Sequence, residues 1–218
     1  IDRLAKESSL FKNAICQRTT TLPSLISMLT STYPLTNGIT ENGIRAFVPL
    51  RAFPEFLAAK GYKIFYIEQW SGHPLLNPTF RNLFENNRIA CGKRQIEIDN
   101  QCSVIQAGLD TNITKKAVEI IEKNKKTPFY LFIIYNEVHN FRDEGNKLDP
   151  IYNYYYDLFV DKTYNGRLKD ASEFNRWDKD LDNEDKRYAD SFLDAKIKFV
   201  DDQIKILIDK LKDLDMWK

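Results

Sequence analysis

The sequence predicts a single α/β domain, and three observations lead to that class. Apolar residues recur at helical spacing in several segments, strand-like runs lie between those segments, and 218 residues suffice for one sizeable core. The longest apolar run, 129–135, has the length of a buried strand and is far shorter than the ~20 residues that span a membrane. Such a run is typical of a parallel sheet that is covered on both faces.

The first elements follow from apolar spacing and from the positions of proline and glycine. We expect a short strand at 11–16 and a helix from about Pro23, because proline fixes φ near the helical value and lacks the N–H that a first turn leaves unpaired. A second helix is predicted over 53–60, where Gly61 ends it. The β-branched and aromatic run 63–68 then predicts a strand.

Helical spacing returns in the second half of the chain. An amphipathic helix is predicted from Asp110 to the basic run 123–126, ahead of the apolar strand. The final helix is predicted over about 184–214. Its apolar residues alternate in spacings of 4 and 3, which would suit a coiled coil, but the wider apolar stripe favours a helix packed on a sheet.

A long connection at about 142–182 is rich in Tyr, Asp and Asn. Connections of this length are usually functional or disordered. Its aromatic side chains could stack on a sugar or a lipid head group, and a peripheral hydrophobic cluster is an equal alternative.

Composition excludes several classes of function. Lys plus Arg number 32 against 31 Asp plus Glu, so the chain has no nucleic-acid footprint. The three cysteines follow no metal-ligand spacing, and His73 and His139, the two histidines, cannot build a His-rich metal centre by themselves. We therefore expect no nucleic-acid partner and no membrane span. Composition carries no signal for the oligomeric state or the compartment.

The most informative segment is 19–38, which places a row of hydroxyls at the start of the first predicted helix. Free N–H groups and the positive end of a helix dipole favour a sulfate or phosphate at such a point, and Thr21 would lie there. The alternative is a Thr-rich N-cap without chemistry, because Ser and Thr are common at helix starts.

This segment resembles the signature of the sulfatase family, which belongs to the alkaline phosphatase superfamily. The signature reads nucleophile-x-Pro-Ser-Arg, then Leu-Thr-Gly-x-Tyr-Pro and His-Gly. The corresponding runs here are Thr21-Leu22-Pro23-Ser24-Leu25, Leu29-Thr30-Ser31-Thr32-Tyr33-Pro34 and Asn37-Gly38. The resemblance places Thr21 on the nucleophile, which in true sulfatases is a Cys or Ser oxidised to formylglycine. Thr cannot form that aldehyde and Leu25 replaces the Arg, so relatives with a Thr nucleophile, such as phosphoethanolamine and lipoteichoic-acid transferases and some phosphodiesterases, fit better.

Two further segments resemble the same family. The run 127–139 is similar to the family's Pro-Phe-Phe-Leu, apolar strand and Pro-His, and this similarity places His139 on the active-site histidine. An imidazole at the carboxyl end of a strand can hydrogen-bond an ester oxygen or protonate a leaving group near neutral pH, and the alternative is a loop histidine that caps a carbonyl. The helix phrase 188–202 also resembles the family. His73 could contact substrate, although its register against the family's motif favours an ordinary loop histidine.

The resemblance implies an alkaline-phosphatase-like three-layer α/β/α domain over residues 1–218, with a largely parallel sheet that is incomplete at both termini. It implies a sulfatase-like hydrolase that acts on sulfuric or phosphoric esters through a hydroxyl nucleophile and a divalent metal, with Thr21 contacting the metal if the full-length protein supplies the other ligands. That metal would be calcium in sulfatases and zinc, manganese or magnesium in phosphoryl-transfer relatives.

The segments that carry the metal ligands in the family have no counterpart in the sequence. We therefore expect this polypeptide to bind no metal and to turn over no ester. The expected substrate of the family activity is a small-molecule, glycan or lipid ester. Two alternatives remain: a phosphoryl-group transferase or phosphodiesterase with a Thr nucleophile, and a non-catalytic module on the same fold that binds a glycan or a protein.

Overall fold

The computed structural model describes residues 1–44, 50–68, 96–98, 102–106, 110–139, 150–168 and 181–217. The helices are α1 (Asp2–Lys6), α2 (Thr21–Thr30), α3 (Pro34–Asn37), α4 (Phe53–Ala58), α5 (Asp110–Asn124), α6 (Pro150–Phe159) and α7 (Asn183–Asp213). The strands are β1 (Lys63–Glu68), β2 (Ile96–Ile98), β3 (Cys102–Gln106) and β4 (Phe129–Ile133), and a short 3-10 turn, Glu137–His139, follows β4. The predicted strands at 63–68 and 129–135 and the helices from Asp110 and from about residue 184 are thus confirmed.

The described strands form one sheet in the order β2-β3-β1-β4. β1 pairs in parallel with β3 and with β4, while β2 pairs antiparallel with β3. Parallel strands need a crossover connection, and α5 lies in the connection from β3 to β4, the two strands that flank β1. The largely parallel sheet is therefore confirmed.

Helices cover both faces of β1 and β4. Successive side chains of a strand point to opposite faces, so each strand contributes to two clusters. The first cluster joins the sheet to α2 and contains Leu22, Ile26, Leu29, Ile64 and Tyr66, with Tyr130 and Phe132 packed against it. The second joins the sheet to α5 and contains Ile67, Ile113, Ala117 and Ile120, with Leu131 and Ile133 packed against it. This arrangement confirms the three-layer α/β/α class.

The long helix α7 packs mainly on other helices. It contacts α5, α6 and the 3-10 turn, and Leu207 reaches the cluster between α5 and the sheet. Phe199 is fully buried near Tyr156 of α6. Ile197, which the 4-3 spacing placed in the apolar stripe, is 43% exposed. In the described residues, α7 thus meets the predicted sheet at Leu207, while most of its contacts are with α5 and α6.

None of the described helices combines the length and the apolar character needed to cross a membrane.

Two predictions about local structure need correction. Residues 11–16 form turns and extended chain instead of a strand, and the side chains of Phe11 and Ile15 are 82% and 83% exposed. β-propensity alone does not hold a strand that lacks a neighbour to pair with. The connection 142–182 contains α6, so its tyrosines at 154–156 lie on a helix. Tyr155 and Tyr156 pack on α7, which favours the peripheral hydrophobic cluster.

Asp185 joins the segment after α6 to the start of α7. Only 1% of this residue is exposed. Its carboxylate accepts hydrogen bonds from the Tyr164 hydroxyl and, at 3.1 and 3.0 Å, from the backbone N–H and the Nε of Arg167. The Tyr164 ring stacks on Tyr188 of α7 at a centroid distance of 3.8 Å. These bonds, the Tyr164 hydroxyl first, hold the pKa of Asp185 below its ordinary value although burial opposes them.

The lowered pKa of Asp185 predicts a loss of stability in acid. An aspartate in an unfolded chain has a pKa of about 3.9, so the bonds to the ionised carboxylate stabilise the fold above that pH and lose their effect as pH falls through the lower folded pKa. We expect Asp185→Asn to lower Tm by several degrees at pH 7 and to flatten the fall of Tm in acid. Circular dichroism melts of both proteins between neutral and acidic pH measure this difference. Asp190→Asn, an exposed change on the same helix, should follow the wild type. Parallel Tm curves for wild type and Asp185→Asn would contradict the assignment.

Candidate functional site

Thr21 is the first residue of α2. The helix therefore begins ahead of Pro23, which lies within the first turn, where N–H groups have no acceptor in the helix itself. Proline fits there because it has no N–H to leave unpaired. Pro23 is the third residue of the helix instead of the predicted first. Leu22 and Ile26 are fully buried against the sheet, whereas Thr21 is half-buried. The Thr21 hydroxyl thus lies at the positive end of a helix whose apolar face is anchored.

The start of α2 is capped by a side chain from a distant loop. Thr20 occupies the N-cap position, yet its side chain caps no N–H, and its buried hydroxyl has no hydrogen-bond partner among the described residues. Instead, Oδ1 of Asn42 accepts the N–H of Leu22 at 2.9 Å. Asn42 was missed by sequence analysis because the bond joins residues 20 positions apart.

The loop that carries Asn42 is held by two hydrogen bonds of Asn37 and by one ion pair. Asn37 is fully buried, donates to the Thr32 hydroxyl at 2.9 Å and accepts the N–H of Ile39 at 2.8 Å. Gly38 follows with φ of 85°, a left-handed conformation that favours glycine. Farther on, Glu41 forms an ion pair with Arg18, shortly before Thr21. Asn37, which stands where the signature has histidine, therefore shapes the turn that returns the chain to α2.

Removal of the Asn42 cap should weaken α2 measurably. We expect Asn42→Ala to lower the free energy of unfolding by about 1 kcal/mol, because the N–H of Leu22 loses its acceptor. Asn42→Asp puts a carboxylate oxygen in place of the amide oxygen and should retain stability, since negative charge is favourable at a helix N-terminus. Urea unfolding of the three proteins measures the difference. Equal midpoints for wild type and Asn42→Ala would show that the bond contributes nothing.

His139 ends the 3-10 turn that follows the carboxyl end of β4. Its backbone therefore lies where ligands of parallel sheets bind, while its side chain is outside the described part of the structure. His73 lies wholly outside the described residues. Both Thr21 and the turn of His139 are attached to the strands β1 and β4. Thr21 is attached because α2 packs on these strands, and the turn because it follows β4 directly in the chain.

The turn before His139 is fixed from two helices. The hydroxyl of Tyr135 forms a 2.8 Å hydrogen bond with the hydroxyl of Thr114 in α5. Glu137 forms an ion pair with Lys196 of α7, with 3.7 Å between Oε1 and Nζ. Neither interaction was predicted, because each joins segments that are far apart in the sequence.

The described residues near Thr21 do not form a metal centre by themselves. Within the described ranges, no group of three or more His, Cys, Asp and Glu side chains is placed to hold a metal ion. Glu41, the acidic side chain in the loop beside α2, is paired with Arg18. Thr21 alone offers one neutral hydroxyl, which is too few ligands for a divalent cation.

The fold and the site define a three-layer α/β/α protein that presents a threonine hydroxyl at a helix start. The family model described as Sulfatase matches residues 1–218, so the chain belongs to the sulfatase family, and the predicted family is confirmed. Members of this family generally use a divalent metal.

No curated protein matches the chain. Among solved structures, it is similar to the lipoteichoic acid synthase LtaP from Listeria monocytogenes, with a TM-score of 0.48 and 18% identity. The match covers 92% of this chain and 42% of the LtaP chain, so the chain spans less than half the length of that structure.

Proposed function

We propose that the chain carries the nucleophile of a sulfatase-like hydrolase that acts on sulfuric or phosphoric esters, with Thr21 as that nucleophile. One observation carries the proposal: Thr21 is both the first residue of α2 and the residue that matches the family's nucleophile position. A helix start favours a tetrahedral anion through its N–H groups and its dipole. The reacting group of the substrate would therefore be held next to the hydroxyl.

The proposed reaction has two steps. Oγ1 of Thr21 attacks the sulfur or phosphorus atom, the bond to the ester oxygen breaks, and the alcohol leaves with a proton. Water, or an acceptor alcohol in a transferase, then attacks the covalent Thr21 ester and releases Thr21. The pKa of a threonine hydroxyl lies far above neutral, so the attack requires a base or the divalent metal that the family generally uses.

His139 is the proposed substrate ligand. Its imidazole would hydrogen-bond the ester oxygen and stabilise the charge that develops there as the bond breaks. His73, the other candidate ligand, would contact the non-reacting part of the substrate.

The identity of the nucleophile favours phosphoric over sulfuric esters. Thr21 cannot be converted to formylglycine, so its hydroxyl must act directly and form a covalent ester. Direct attack by a hydroxyl is the route of a phosphoryl-group transferase or a phosphodiesterase. The transferase differs from a simple hydrolase because its acceptor is an alcohol instead of water. The phosphodiesterase differs because its substrate carries a second ester group.

Substrate panels test this proposal. The full-length gene product is assayed with an aryl sulfate, an aryl phosphate and an aryl phosphodiester, with added calcium, zinc, manganese or magnesium and after treatment with a chelator. We expect turnover of at least one phosphoric ester, loss of activity on chelation, and recovery when metal returns. A folded protein that turns over none of the three with any metal, but binds a glycan or a protein, would contradict the enzyme and support the non-catalytic module.

A further inference from the structure

Lys196 is a buried cation in the middle of α7. Its side chain is 5% exposed, and that of its partner Glu137 is 13% exposed, so both charges are largely removed from water. Lysine is seldom buried to this extent, and an unpaired charge in such a place is very costly. An apolar pair of similar volume would stabilise the fold at least as well. Stability alone therefore does not account for an ion pair at this position.

The location of the pair indicates what it controls. Glu137 is the first residue of the turn that ends at His139, and α7 packs directly against that turn. Residues next to Lys196 on the same helix, Ala195 and Phe199, are buried in the cluster with α6. The lysine thus projects from a helix that is itself fixed, and it holds the turn from one side.

The segment before the turn is held from the other side. The hydroxyls of Tyr135 and Thr114 form their 2.8 Å bond to α5, and Tyr135 also packs in the clusters of both α5 and α7. With Tyr135 fixed, the contact between Glu137 and Lys196 adds a second constraint on the direction of the chain through the turn. A carboxylate-to-ammonium contact selects one geometry more narrowly than an apolar contact does.

We propose that Lys196 and Glu137 are a positioning pair that fixes the turn carrying His139, and through it the placement of the substrate ester. The proposal rests on the proposed function, since it takes His139 as a substrate ligand. Neither Lys196 nor Glu137 touches the substrate; both act through the backbone of the turn. A displacement of about 1 Å at a catalytic group can lower the rate by about 10²-fold, so the pair has a measurable effect on turnover.

An apolar replacement of the whole pair tests this role in the full-length protein. Lys196→Met with Glu137→Leu removes both charges of the pair together, so we expect a Tm near wild type and a loss of about 10-fold to 100-fold in kcat/KM, mostly in kcat. Lys196→Arg, which keeps the pair, should recover most of the rate. Lys198→Met, which removes a partly exposed lysine on the same helix, should leave the rate unchanged. Wild-type kcat/KM in the folded double variant would overturn the proposal.

A cycle with His139→Ala separates positioning from a merely structural role. If the pair acts through His139, the double replacement costs little more once His139 is absent. Additive losses would overturn the positioning role while leaving the proposed function intact. Unchanged activity in His139→Ala alone would overturn the positioning role together with the ligand role of His139, and Thr21 would remain the proposed nucleophile. Should the double variant fail to fold, Glu137→Gln keeps the size of the side chain and removes the charge, and wild-type activity in that variant would equally overturn the proposal.

Discussion

Replacement of Thr21 by alanine is expected to lower kcat/KM of the full-length protein by about 10³-fold or more on its best ester substrate. The hydroxyl is the proposed attacking group, and an alanine side chain cannot form the covalent ester. The apolar face of α2, with Leu22 and Ile26 buried against the sheet, does not include Thr21, so the variant should fold normally. Initial rates and Tm, measured on the same preparation, separate loss of chemistry from loss of structure.

Two variants serve as controls for Thr21. Thr20→Ala removes the neighbouring hydroxyl, which caps no N–H and is buried without a hydrogen-bond partner in the part of the chain that the structure describes, so activity and stability should stay near wild type. Thr21→Ser keeps a hydroxyl at the helix start and should retain a substantial part of the rate. Wild-type activity in Thr21→Ala would remove Thr21 from the nucleophile role.

Phe199→Ala is expected to lower the free energy of unfolding by about 3–5 kcal/mol. Phe199 is fully buried, and its ring meets that of Tyr155 edge-on at a centroid distance of 5.3 Å. The truncation leaves a cavity between α6 and α7 that the surrounding helices cannot close completely. Urea unfolding followed by circular dichroism gives the difference directly.

Ile197 provides the matched control on the same helix. It is 43% exposed, so Ile197→Ala should change the free energy of unfolding by less than about 1 kcal/mol. Equal losses for Ile197→Ala and Phe199→Ala would mean that α7 buries a different face from the one in this structure.

Local patterns were sufficient to predict the main elements of the fold. The spacing of the apolar residues and the length of each apolar segment identify β1, β4, α5 and α7, because each of these elements buries apolar residues that recur regularly in the sequence. Helix α4 ends at Ala58, two residues earlier than predicted. Gly61 then has a φ of 85°, and the N–H of Tyr62 bonds back to the carbonyl of Leu57.

Features that depend on distant contacts were not predictable in the same way. The wide apolar stripe predicted along α7 includes both Ile197 and Phe199, and packing against α6 decides that Phe199 is buried while Ile197 is partly exposed. Residues 11–16 have the composition of a strand, but a strand needs a neighbouring chain to pair with. In both cases the sequence displays a propensity, whereas tertiary packing decides the outcome.

The same distinction, between local motifs and distant contacts, holds for the residues of the candidate site. Thr21 and His139 were proposed from short motifs that are continuous in the sequence. Asn42, Glu137 and Lys196 were missed because each acts on a residue that the fold brings near from far along the chain. Their contribution is geometric: they cap the helix of the candidate nucleophile and hold the turn of the candidate ligand.

Detection of the covalent Thr21 ester tests directly whether Thr21 is the nucleophile. The full-length protein is mixed with its best ester substrate in the presence of divalent metal, quenched in acid within the first turnovers, digested, and sequenced by mass spectrometry. We expect a phosphoryl or sulfuryl group on Thr21 in the peptide that contains the start of α2, and no such group in Thr21→Ala. Rapid turnover with Thr21 unmodified, or with the group on a different residue, would contradict it.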